Sequence, residues 1–269
     1  MKNRTSFILV LVALMSGILA CSVNFGNNVG VSTIRGSGTV NNETRDVSSI
    51  SSVDLAMTGT LHITMGDRET LTIEAEDNLL GYIQTDISLG RLVIKTREGT
   101  ILRPTQPINY NLTVTKLSAV TISSDGNIET NNLNSDAFSI AVNSSGNLSI
   151  NSLDCTSLQV KSSSSGNIVI GNLLTTSISV TISSSGNLEI QNGQVQQQNI
   201  RISSSGEYHA NAMASASADV TISSSGSATI RVSDKLSGMI NSSGNVYYIG
   251  DPAVNIKITS SGKAIQISQ

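Results

Sequence analysis

The chain has 269 residues, only 3% of them aromatic and none of them Trp, and carries 16 Lys and Arg against 19 Asp and Glu, a net charge of −3. That balance lacks the basic footprint of a nucleic-acid binder. A core short of aromatics has to be built from Ile, Leu and Val.

Residues 1–20 place Lys2 and Arg4 before an apolar run from Phe7 to Ala20, with small residues ahead of Cys21. This is the order of a secretory signal, and an apolar stretch of about 14 residues is too short to cross about 30 Å of hydrocarbon. The tetrad Ile18-Leu19-Ala20-Cys21 resembles the bacterial lipobox, in which the Cys becomes the acylated N-terminus of the mature protein. Lipidation of Cys21 is the expectation; plain cleavage that leaves a spare thiol is the alternative. Loss of the signal leaves 14 basic against 19 acidic side chains, net −5. With Cys21 acylated, Cys155 has no partner within the chain and reads as a small buried hydrophobe at a corner.

Residues 21–31, the acylated Cys followed by Asn, Gly, Ser and Val without periodicity, form a tether. Residues 32–118 hold alternating strands: Val53, Leu55 and Met57 precede Gly59, and Leu61 and Ile63 follow it on the same parity. Leu71–Ala75, Leu92–Ile94 and Tyr110–Val114 alternate as well. The expectation here is irregular first coils of a solenoid, with insertions and a cap.

Over residues 119–269 eight glycine motifs recur, mostly Ser-Ser-Gly and often followed by Asn. Their glycines are Gly126, Gly146, Gly166, Gly186, Gly206, Gly226, Gly244 and Gly262, spaced by 20 residues five times and then 18 twice. A period this regular signals stacked units that cannot bury their own apolar faces. Four residues before Gly the column reads Ile122, Val142, Ser162, Ile182, Ile202, Ile222, Ile240 and Ile258. Two residues after Gly it reads Ile128, Leu148, Ile168, Leu188, Tyr208, Ala228, Val246 and Ala264. Three before Gly there is no apolar member. Apolar residues at even offsets and polar ones at odd offsets mean strands with one face in a core.

Each unit is too short for a crossover helix and repeats the same polarity, so equivalent strands stack in parallel about 4.8 Å apart. The predicted fold is all-β, a right-handed parallel β-helix with coils of about 20 residues. A lone coil buries too few aliphatics to offset the entropy of ordering it. Leu133, Leu153, Leu173 and Met213 point to a third side. The first Ser of each motif and the Gly fall on the inward parity, where small residues permit a sharp bend. Asn127, Asn147, Asn167, Asn187 and Asn245 face outward as a ladder. At the C-terminal end the last coil presents an edge, defended by Lys257, Lys263 and the Asp251-Pro252 break.

In order, Gly36-Ser37-Gly38, Asp46–Ile63, Thr72–Leu80, Arg91–Ile94 and the tandem Ser-Gly-Asn units resemble the autotransporter-adhesin head (GIN) domain family of bacterial envelope proteins, over residues 33–266. The resemblance implies a secreted or lipid-anchored β-helical domain and brings no catalytic residues with it. Many relatives place Gly-Ser-Gly-Asp where this chain has Ser-Ser-Gly-Asn, which removes most of an outward acidic ladder.

Candidate chemistry is sparse. Glu129 and Glu189 share the column three after Gly, but Ser149 and Val169 intervene, leaving them about 14 Å apart and too distant for a carboxylate pair. Glu74, Glu76 and Asp77 are the densest acidic cluster, either a solvated face or a Ca²⁺ site. His62 and His209 fall on outward parity and read as surface residues with no second ligand nearby. Tyr247 and Tyr248 are adjacent and so on opposite faces. The expectations are therefore no catalytic, cofactor or metal site, and lipidation at Cys21. Partners are a membrane through that lipid and either a polysaccharide or an envelope protein, with no nucleic acid. The reading is a non-catalytic adhesin or interaction module exported to the cell envelope, with a polysaccharide-binding or carbohydrate-active β-helix as the alternative.

Overall fold

The computed structural model describes residues 30–268, and the solenoid lies within the unit Thr33–Gln269. The signal and almost all of the tether, with Cys21, lie outside the described residues.

The N-terminal third contains β1 (Ser32–Arg35), β2 (Val40–Arg45), β3 (Ser52–Ala56), β4 (Thr60–Met65) and β5 (Thr70–Glu76). The short helix α1 (Asp77–Leu80) follows, then β6 (Ile83–Ser88), β7 (Arg91–Thr96), β8 (Thr100–Arg103) and β9 (Asn109–Val114). The repeats supply β10 (Ala119–Ile122), β11 (Asn127–Val142), β12 (Leu148–Ser162), β13 (Asn167–Ile182), β14 (Asn187–Ile190) and β15 (Gly193–Ile202). The last elements are β16 (Glu207–Ile222), β17 (Ser227–Ile240), β18 (Asn245–Ile249), β19 (Ala253–Ile258) and β20 (Lys263–Gln266).

Together they form a β-solenoid of about 7 turns of roughly 20 residues. Successive coils pair in parallel and in register, so Ile122 lies beside Val142, Val142 beside Ser162, Ser162 beside Ile182, and Ile182 beside Ile202. Each of these side chains is at most 2% exposed, as the parity of the sequence requires. The third side is present: Leu133 pairs with Leu153 and Leu153 with Leu173, all buried. Met213 pairs with Gly193 on the same side and is buried too. The change from 20 to 18 residues is absorbed there, because the β16–β17 register slips between Ala210 and Ala214 and again between Ser215 and Ser217.

The chain bends at the two residues before each motif glycine, as expected from the sequence, and all eight glycines are buried there. None of the eight has a positive φ. A Cβ on Gly146 would lie 2.0 Å from the carbonyl oxygen of Gly126 and 2.6 Å from a methyl of Ile122. The coil beneath excludes a side chain, so the requirement is close approach rather than backbone freedom. The first Ser of the motif is only half-buried in most coils, and the Ser144 hydroxyl turns to donate to Asp125 Oδ1 at 3.0 Å.

The N-terminal third departs from simple winding. β3 and β4 form a coil paired in parallel with β10 and β11. The next coil in the chain, β7 and β9, pairs in parallel with the opposite edges of β3 and β4, so it lies beneath the earlier coil. Antiparallel strands close this end: β5 lines β9, β2 lines β5, and β6 lines β7. α1 adds buried Leu79 and Leu80, and Arg45 donates to the carbonyls of Leu80 and Ile83. The end is thereby both covered and tied.

Candidate functional site

The most developed polar surface is the outer face of the side that starts at each motif. Its first column is the Asn ladder: Asn147 Nδ2 donates to Asn127 Oδ1 at 3.0 Å, Asn167 to Asn147 at 3.2 Å and Asn187 to Asn167 at 3.3 Å. In-register coils repeat one amide at one height, and each amide supplies both a donor and an acceptor.

Two residues on, the register stacks His62, Glu129, Ser149, Val169, Glu189 and His209. His62 Nδ1 stands 3.3 Å from Glu129 Oε2, with side chains 43% and 57% exposed, a surface contact worth up to about 1 kcal/mol. At the other end Glu189 accepts from Gln191 Nε2 at 3.3 Å, and His209 lies 2.9 Å from Glu207 Oε2. Between the poles the small residues Ser149, Val169 and Gly171 leave a depression of about 350 Å³, whose wall also includes Glu129, Asn131, Asn151 and Gln191. Gly171 is held open by the coil below, since its Cβ would lie 2.6 Å from the Asn151 carbonyl oxygen. The wall can exchange hydrogen bonds with a hydroxylated ligand. It does not converge two carboxylates: Glu129 and Glu189 remain three coils apart, about 14 Å.

His62 is on the surface as expected, and its contact with Glu129 corrects the expectation that no second ligand lies nearby. The signal was present, because His62 is three residues after Gly59 just as Glu129 is three after Gly126.

The acidic cluster disperses. Glu76 is fully buried and accepts from the N–H groups of Gly38 at 2.7 Å and Thr105 at 2.8 Å, and from the Thr105 hydroxyl. The Thr105 hydroxyl foremost, then the backbone donors, hold its carboxyl below the usual range against the opposing effect of burial. Asp77 accepts from the Ser37 hydroxyl and the Asn78 N–H, and Glu74 from Asn109 at 3.2 Å. These carboxylates fasten loops. Among the described residues no group of three or more His, Cys, Asp or Glu could hold a metal ion.

Tyr110 and Tyr208 are fully buried and offer no platform. Cys155 is 6% exposed, donates weakly to Thr175 Oγ1 at 3.6 Å, and burial pushes its thiol up. It is a core atom rather than a nucleophile. Two polar clusters, one under the surface and one in the core, have no counterpart in the sequence reading. Asp54, 4% exposed, is bound by Arg91 and by the Ser123 hydroxyl. Tyr208 donates to Gln198 Oε1 at 2.7 Å, Gln198 to Ser215 Oγ at 2.8 Å, and Ser215 to the Arg231 carbonyl at 2.6 Å.

A stack of parallel, in-register coils with a repetitive amide face defines a parallel β-helix. Residues 51–252 match the family model described as "Putative auto-transporter adhesin, head GIN domain", and the chain belongs to that family. Its fold is that of a solved "putative lipid binding protein" from Parabacteroides distasonis, with a TM-score of 0.82 and 22% identity over 88% of this chain and 100% of that one. A "putative adhesin" from Parabacteroides merdae gives 0.81 and 21%, over 88% and 99%. Another from Bacteroides fragilis gives 0.67 and 18%, over 87% and 100%. No curated protein matches the chain.

Proposed function

We propose that the protein is a non-catalytic adhesin of the cell envelope, exported by residues 1–20, held to a membrane by a lipid on Cys21, and acting through its repetitive outer face. The observation that carries this reading is the in-register amide ladder of Asn127, Asn147, Asn167 and Asn187. A surface that repeats every 4.8 Å or so suits weak multivalent contact with a repetitive partner. Family membership and the adhesin descriptions of two solved relatives support the same role. The depression beside His62 and Glu129 favours one second reading, a module that binds neutral polysaccharide.

Two measurements test this. Replacing Cys21 with Ser should move the protein from the membrane to the soluble fraction, and continued membrane retention would sink the anchor. On a glycan array, binding that disappears in Glu129→Gln would favour the polysaccharide reading. Release of reducing sugar from any of the bound glycans would overturn the non-catalytic role.

A further inference from the structure

We propose that Asn192 is a self-modifying residue: the Gly193 amide nitrogen closes on the Asn192 side chain, expels ammonia, and hydrolysis then leaves an aspartate or an isoaspartate. Asn192-Gly193 is the one Asn-Gly pair in the sequence, and every other asparagine is followed by a residue whose side chain crowds such an approach.

The pair sits at a fault in the stack. β11, β12, β13 and β16 run through the corner beyond the amide face without interruption, whereas the coil between β13 and β16 is split into β14, ending at Ile190, and β15, resuming at Gly193. Register shows why this coil differs. Gly193 pairs with Leu173 on one side and Met213 on the other, so it stands where the neighbouring coils place a large buried side chain. Its φ is 138°, and a Cβ there would lie 2.0 Å from the Leu173 carbonyl oxygen. Both the backbone angle and the close approach demand glycine, so the pair cannot be relieved by a bulkier residue at 193.

The main chain around Asn192 is pinned while its side chain folds back. The Asn192 carbonyl accepts from the Leu173 N–H at 3.0 Å, and the Gln191 N–H donates to the Ile170 carbonyl at 2.9 Å. Asn192 is exposed, and its Oδ1 accepts from the Gly193 N–H at 2.8 Å. The same fold-back carries Cγ, one bond from Oδ1, toward the nitrogen, which is the pre-oriented arrangement that makes intramolecular attack fast.

The chemistry needs only water. As the Gly193 nitrogen loses its proton to hydroxide it bonds to Asn192 Cγ, and the bond from Cγ to the side-chain nitrogen breaks with release of ammonia. Water then opens the cyclic imide. Addition at Cγ gives aspartate; addition at the main-chain carbonyl carbon gives isoaspartate, with the chain rerouted through Cβ and Cγ. Nothing is oxidised or reduced, and either product replaces a neutral amide by a carboxylate. That charge appears one residue from Gln191, in the wall of the depression, so the coil face becomes more acidic with age at one fixed place.

The test incubates the full chain carrying Cys21→Ser, folded, at mildly alkaline pH in heavy-oxygen water, followed by digestion and mass spectrometry. Conversion at Asn192 several-fold faster than at any other asparagine is expected, with heavy oxygen incorporated, isoaspartate among the products and a later anion-exchange peak. Asn132 and Asn172 share the corner column with Ser152 and are each followed by Leu; both should stay intact. Asn192→Ser, which copies Ser152, should abolish the late peak with unchanged circular dichroism. An Asn192 that persists in the folded chain yet converts in urea would overturn the proposal, because the fold would then shield the amide. Equal conversion at Asn172 would overturn it as well, by removing the part assigned to Gly193.

Discussion

Between Ala119 and Gln266 every coil lies on the one before it in chain order, whereas between Ser52 and Val114 the later strands β7 and β9 pass beneath β3 and β4. The two regions are held in different ways. In the regular stack the coils approach so closely that glycine carbonyls occupy the space a side chain would need, and the polar groups of the interior are few and neutral: Thr130, Ser162, Gln198 and Ser215. In the N-terminal third, segments distant in sequence meet, and buried carboxylates fasten them. Glu76 ties Gly38 to Thr105, and Asp54 ties Arg91 to Ser123. Repetition lets packing alone specify position; without it, the chain spends charged groups to fix one arrangement.

The sharpest way to break this comparison is to add one methyl in each region. Gly146→Ala puts a Cβ 2.0 Å from a backbone oxygen that cannot move without its coil, and should cost about 3 kcal/mol or more. Gly81→Ala meets nothing within 4 Å at a φ of −68°, and should be neutral or stabilising by about 0.4 to 1 kcal/mol. Denaturant unfolding of the two variants would have to give similar midpoints for the close-approach account to fail. Next in size is Tyr208→Phe, which strips the donor from the buried Gln198 oxygen and should cost about 1 to 3 kcal/mol. Adding Gln198→Leu, an aliphatic in the file of Ile178 and Ala218, should recover most of that loss. A double mutant no more stable than the single one would show that the network is not the reason.

The difference between the regions also explains what was legible. The apolar columns of the repeat could be read because each coil obeys the same parity rule, so Ile182, Ile202 and Ile222 announced their neighbours. Gln198 occupies an inward position of that same grid, but its partner Tyr208 lies across the core and not along a file, and no periodicity reports a contact of that kind. The passage of β7 and β9 beneath β3 and β4 was hidden because a strand pattern states which face is buried and not which edge is taken. Glu76 looked like one of three solvated acids because its donors, Gly38 and Thr105, lie 38 and 29 residues away. The Glu129 neighbour of His62 was missed for a narrower reason: the coil of Gly59 was recognised as an imitation of the repeat without being stacked on the coil of Gly126.

Smaller effects sharpen the comparison further. The Glu76 carboxyl is held below its usual value of 4.5 in the folded chain, so the stabilisation it supplies is complete above that pH and is lost as the pH falls through the depressed native value. Hydrogen exchange should therefore report loosening of the Gly36–Gly38 loop and Thr105 in acid before the repeats respond. Glu76→Gln should loosen the same segments at neutral pH and flatten their acid dependence. Simultaneous loosening of the repeat strands would show that the two regions are not separable.

The smallest change concerns the amide face. Asn147→Ala removes the bond donated to Asn127 and the acceptor used by Asn167, but these groups are exposed, and water takes up most of what is lost. About 0.5 kcal/mol is expected, well below the cost of Tyr208→Phe, because the ladder competes with solvent where the interior network does not. If the face serves recognition, binding to an envelope polymer should fall several-fold in Asn147→Ala, and further in the Asn127, Asn147 and Asn167 triple variant, while the unfolding midpoint hardly moves. A stability loss rivalling that of the buried tyrosine, with binding intact, would instead make the ladder a structural staple and shift recognition to another side of the coils.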